Sequence, residues 1–76
     1  MTTTAPKRTI VADLLRLAAR LVEVGIDKDT AFVAAGRYLS GMGGWGTALM
    51  DARREHRATN DQVMAATRIL NGWVIR

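Results

Sequence analysis

The 76-residue chain contains no cysteine, one proline, one histidine and four aromatic residues. Without cysteine there is no disulfide to staple a small core and no thiolate for a zinc site or a nucleophile. The lone His56 and lone Ser40 cannot complete a Ser-His-Asp arrangement. Asp13, Asp51, Glu55 and Asp61 lie among arginines, where ion pairing accounts for them. No catalytic residue, metal ligand set or cofactor is therefore expected, and the chain is read as non-enzymatic.

Long apolar runs are missing too. None approaches the ~20 residues that a membrane-spanning helix requires. The first eight residues carry Lys7 and Arg8 but no apolar stretch ahead of them, unlike a secretory signal. Absence of cysteine agrees with a reducing compartment. The expectation is a cytoplasmic protein without a membrane partner. Period-two alternation is also scarce: outside a short extended tail at Trp73 to Ile75, no segment argues for a strand.

Helix formers dominate what remains. Glycine is the exception, with Gly41, Gly43, Gly44 and Gly46 crowded into six positions. Each costs roughly 1 kcal/mol relative to alanine inside a helix, so this hexapeptide divides the chain into two helical halves. The Gly-x-Gly-x-x-Gly spacing there follows a helix rather than a strand, which excludes a dinucleotide fingerprint. Whether the loop holds an anion or only turns the chain stays open.

The expected fold is all-α: four short helices in two hairpin-like halves joined by the Gly-rich loop. Residues 1–8 form a flexible arm, and 9–76 form one helical domain. The first helix starts after Thr9 as N-cap and stops before Gly25. Asp13, Arg16, Arg20 and Glu23 make a narrow polar stripe, and the remaining arc is apolar. That arc is too wide for one small chain to bury easily. Val11, Leu14, Ala18 and Leu21 keep the three-four spacing of a self-association seam, so they are the expected homodimer interface unless this is simply the central helix. Asp27 caps a second helix over Lys28 to Leu39, with Phe32, Ala35, Gly36 and Leu39 as its inner face. Thr47 caps a third, ending near Arg57, with Trp45, Leu49, Ala52 and His56 inside. Thr59 or Asn60 caps the fourth, whose inner stripe is Val63, Ala66, Thr67, Leu70 and Val74, widened by Met64, Ile69 and Trp73.

Charge points to the partner class. Eleven Lys and Arg against seven Asp and Glu give a net charge of +4, and nine of the cations are Arg. Arginine forks recognise carboxylates and phosphates. Arg53, Arg54 and Arg57 share one side of the third helix beside Met50 and form the densest cationic surface. Arg68, Lys7 and Arg8 extend it, and Trp45 is a candidate anchor. A helix-turn-helix unit spanning Leu21, Gly25, Ile26, Asp27 and Thr30 is a partial match, but its second helix opens with Asp27 and Asp29, which repel phosphate. The expected function is a small non-catalytic interaction protein, an adaptor or inhibitor of the kind phages and plasmids encode. It docks on an acidic protein surface. The alternative is a dimeric DNA-binding regulator that takes nucleic acid on the same cations.

Overall fold

A computed structural model describes the backbone of residues 4–73 and the side chains of residues 11–73. Four helices follow one another: α1 Thr4–Glu23, α2 Lys28–Ser40, α3 Trp45–Arg54 and α4 Asn60–Asn71. No strand occurs among the described residues. Val74 and Ile75, part of the expected extended tail, lie outside them.

Helix α1 opens ahead of Thr9, which falls inside it, and its first turns take in residues expected to form an arm. Pro6 sits in the opening turn, where its missing N–H has no helical partner to lose. Lys7 and Arg8 then continue the helix as good formers. The other end closes as the glycine implies. Gly25 takes φ 104°, its N–H donates to Val22 O at 2.9 Å and Ile26 N–H to Leu21 O at 3.1 Å. This is a Schellman stop. Asp27 then caps α2 as expected, its carboxylate accepting from Thr30 N–H at 3.1 Å.

The interruption between α2 and α3 is shorter than the run of glycines. Gly41, Gly43 and Gly44 all take positive φ, but Gly46 is helical and Gly44, not Thr47, is the N-cap. Trp45 explains the early start. Its ring meets Tyr38 edge-on at 6.1 Å, pinning the first turn of α3 to the last turn of α2. Arg37 fastens the same corner by donating to Gly44 O at 3.1 Å.

Helix α3 ends at Arg54 rather than near Arg57. His56 turns the chain with φ 63°, and Arg57 N–H donates back to Ala52 O at 2.8 Å. His56 is consequently exposed instead of sharing the inner side with Leu49 and Ala52. Helix α4 begins with a full capping box. Thr59 Oγ1 accepts from Gln62 N–H at 3.1 Å, and Gln62 Oε1 accepts from Thr59 N–H at 2.8 Å.

Helix α2 lies between α1 and α3, and α4 closes against α3 and α1. Leu17, Leu21, Ile26, Leu49 and Leu70 are the largest wholly buried side chains. Burying each is worth about 1.5–3 kcal/mol relative to exposure. Around them sit Ala31, Ala34, Ala35, Ala52 and Ala66, all inaccessible. The inner face of α2 is thus Thr30, Ala31, Ala34 and Ala35, while Phe32 points outward. A helix packed on two sides needs small residues there, because interaxial distance follows side-chain size.

The expected seam on α1 is divided by the same packing. Ala18 and Leu21 belong to this chain's own core and Leu14 packs half-buried against it, whereas Val11 is exposed. Asp13, expected on the polar stripe, is also buried. Its Oδ1 accepts from Arg16 at 2.6 Å, and its Oδ2 is buried without a hydrogen-bond partner among the described residues.

Three backbone positions separate glycine's roles. A Cβ on Gly25 would run into the Gln62 side chain as well as strain the positive φ, whereas one on Gly36 meets nothing within 4 Å. Gly36 therefore provides no close helix approach. Gly36→Ala is expected to stabilise by about 1 kcal/mol, and His56→Gly by up to about 1 kcal/mol through relief of the left-handed residue. Gly25→Ala is expected to destabilise by about 1–3 kcal/mol. Urea denaturation of the three variants checks the signs, and a stabilised Gly25→Ala would contradict this packing.

Candidate functional site

The arginines expected to act together are separated by the end of α3. Arg57 lies past that end and points back to the start of α2. Its Nη1 donates to Asp27 Oδ1 at 3.0 Å and to Thr30 Oγ1 at 2.6 Å. Its Nε donates to Glu55 Oε1 at 2.9 Å, and Nη2 approaches the same oxygen at 2.7 Å. A guanidinium with two carboxylates and a hydroxyl is committed inside its own chain. It ties the α3–α4 corner to the N-cap of α2.

Both sides of that clamp shift in titration as the geometry requires. Burial pushes the Asp27 carboxyl up, but hydrogen bonds from Thr30 and the Arg57 charge outweigh it and hold the group below its ordinary value. The Glu55 hydrogen bond, with the Glu55 and Asp27 charges, outweighs partial desolvation and raises Arg57. Around the clamp, α2 and α3 enclose an open cleft of about 440 Å³ whose lining includes Asp27, Asp29, Asp51 and Glu55 beside Arg37 and Arg57. This flank of α3 is of mixed charge, not the cationic face expected.

Arg54 pairs with Asp51 at 3.2 Å, both side chains open to solvent. Such exposed pairs contribute about 0–1 kcal/mol and exchange readily for another anion. Arg53 is different. Its Nη1 donates to a neutral acceptor, Asn60 Oδ1, at 3.1 Å, and no carboxylate pairs with it among the described residues. Asn60 Nδ2 in turn reaches Met64 Sδ at 3.6 Å. Met50, one helical turn before Arg53 and Arg54, is 40% exposed and Met64 is 48% exposed. The α3–α4 corner therefore presents two thioethers around a positioned, uncompensated guanidinium, with Arg54 alongside.

The remaining expected residues fall elsewhere. Trp45 is half-buried against the core and Tyr38, so it anchors a loop. Arg68 lines a separate shallow cleft with Arg20 and Trp73 on the α1–α4 side. The side chains of Lys7 and Arg8 lie outside the described residues. Met64, expected to widen the inner stripe of α4, is instead exposed at the corner, and neither it nor Asn60 is grouped with Arg53 by sequence because both sit on the next helix. Only the capping box of α4, legible as Thr-x-x-Gln, indicates that Asn60 occupies a first turn facing the end of α3.

Among the described residues no group of three His, Cys, Asp or Glu is placed to hold a metal ion, and no helix is long and apolar enough to cross a membrane. Compared with protein-family models, curated proteins and solved structures, the chain matches none.

The three arginines should therefore differ in kind. Arg57→Ala is expected to lower the melting temperature clearly, and Arg53→Ala and Arg54→Ala to leave it nearly unchanged. Equal losses from all three, read by thermal melts, would show that the clamp is not the distinguishing feature. Acid supplies a second check. Asp27 titrates below its unfolded value of about 3.9, so its contribution is complete above about pH 4 and disappears as pH falls through the folded value. Asp27→Asn should flatten the loss of stability as pH falls below about 4, where the unfolded chain takes up that proton before the folded one does.

Proposed function

We propose that the protein is a small, non-catalytic interaction module, an adaptor or inhibitor that docks on an acidic surface of a larger protein. Arg53 is the observation that carries this reading: an exposed guanidinium, oriented by neutral Asn60 and flanked by Met50 and Met64. Arginine and methionine are enriched at interface cores, and methionine adapts its shape to a partner at low cost. Arg54, held only by an exposed pair with Asp51, joins Arg53 on contact with a carboxylate-rich surface. Arg57 supports the face from behind and does not bind. Self-association belongs to the same proposal, as does a cytoplasmic setting.

The nucleic-acid alternative uses the same cations but differs in salt response. Phosphate contacts release counterions, so affinity for a duplex falls steeply between about 50 and 200 mM salt. Methionine-anchored protein docking changes less over that range. The immobilised chain, exposed to a lysate of its host at about 200 mM salt, is expected to retain a partner that Arg53→Glu/Arg54→Glu releases, both forms keeping the same helical circular dichroism. Retention of that partner by the double variant would remove the α3–α4 corner from consideration. A duplex mobility shift by the parent, present at about 50 mM salt and lost at about 200 mM, would favour the regulator instead.

A further inference from the structure

Arg57 lines two clefts of unlike chemistry. The one between α2 and α3 is rich in carboxylates. The other, of about 420 Å³ at the α3–α4 corner, is lined by Arg53, His56, Asn60 and further polar residues, with no Asp or Glu among them. The carboxylates nearest in sequence are accounted for. Glu55 bonds to Arg57 and lines the first cleft. Asp51 lines that cleft too and pairs with Arg54. Asp61 is exposed and outside the lining of the second. Gln62, another lining residue, lies against Gly25. The cleft therefore stands at the far end of α1 from residues 4–10, about 20 Å along the helix, and at the opposite end of α4 from Trp73.

Three side chains of this cleft carry donors with weak partners or none. Arg53 gives Nη1 to the neutral Asn60 Oδ1 at 3.1 Å, and the rest of its fork meets no acceptor among the described residues. Asn60 Nδ2 reaches only Met64 Sδ at 3.6 Å, and a thioether is a weak acceptor. The exposed His56 ring makes no hydrogen bond among the described residues. His56 also holds φ 63°, which glycine would adopt at lower cost. Strain of that kind points to function when the side chain, rather than the turn, is what a cheaper residue would forfeit.

We propose that this cleft seats a phosphate monoester carried on a side chain of the partner protein, as in phosphoserine. The proposal rests on the docking reading for its carrier and narrows that reading to one group. Donors set on α3, on the corner and on α4 suit an anion with three terminal oxygens, one for each. A carboxylate has two and is satisfied by a single guanidinium fork. A nucleic-acid phosphodiester also has two. A monoester offers three and carries about −1.5 to −2 charge at neutral pH. On binding, Asn60 Nδ2 exchanges sulfur for oxygen and the free part of the Arg53 fork gains an ionic partner, with no change in the backbone.

The ¹⁵N-labelled chain, titrated with methyl phosphate at about pH 7.5, where that group is mostly a dianion, should show saturable shifts centred on residues 53–60. Acetate and dimethyl phosphate, at matched ionic strength, should bind about tenfold or more weakly, the loss of one charge-assisted hydrogen bond. Asn60→Asp keeps an oxygen on Arg53 but cancels its charge, and His56→Gly removes the ring while relieving the strained turn. Each should weaken methyl phosphate about tenfold or more, whereas Arg54→Gln, outside the lining, should change it by about twofold at most. Absence of saturation overturns the proposal. So does equal affinity for acetate or dimethyl phosphate, or indifference to both cleft variants. Phosphatase treatment of the host lysate should abolish capture of the partner. A partner still captured after that treatment, and still released by Arg53→Glu/Arg54→Glu, overturns the phosphate seat and leaves the docking face standing.

Discussion

The alanine face of α2 sets the terms for the rest of the molecule. Ala31, Ala34 and Ala35 are wholly inaccessible because α2 is packed by α1 on one side and α3 on the other. Only short side chains permit that double contact at normal helix separations. The consequence is displacement. Bulky residues that a larger core would have absorbed, Phe32 and Val33 on α2 and Leu15 on α1, remain at the surface. A chain of this length buries roughly 60% of the surface it exposes when unfolded, so some displacement is unavoidable. Here Val11, Leu15, Val22 and Phe32 gather on α1 and α2, while Val33 lines the α2–α3 cleft and Met42, Met50 and Met64 lie elsewhere on the surface.

A second economy operates in the charges. Arg57 is taken out of the surface cation pool to secure the N-cap of α2, and it reaches that cap only because α3 stops at Arg54 and His56 accepts a left-handed conformation. A strained non-glycine residue is the local cost of a contact between segments far apart in sequence. What remains exposed on α3 is Arg53 with Arg54, and Asn60 from the next helix orients the former. The molecule thus carries two surfaces of different chemistry. One is cationic with thioether flanks, and the other is apolar with balanced charge.

How much of this was legible beforehand depends on the distance over which the information acts. Local devices read well. Gly25 as a stop, Asp27 and Thr59 as caps, and Leu49, Ala52, Ala66 and Leu70 as inward positions all follow from interactions within one or two turns. Helix phase read less well. The choice between Phe32 and Ala31 as the inner residue of α2 turned on there being two packing neighbours, which no window along the chain contains. Met50, Arg53 and Arg54 were found as a group because they share one helix. Asn60 and Met64, which complete the corner, were not.

By itself the sequence determined the helical class, the number of helices and most of their boundaries, because glycine, caps and apolar periodicity act through nearest neighbours along the backbone. Which arginines face solvent and which α1 residues stay uncovered was decided only in three dimensions. Arg57 and Asp27 are 30 residues apart, and their pairing needs the fold to exist before either charge can be assigned a role. Leu15 and Leu14 are adjacent and equally apolar, yet one is open and the other half-covered. That difference arises from where α2 happens to lie, a property of the packed helices and not of either residue.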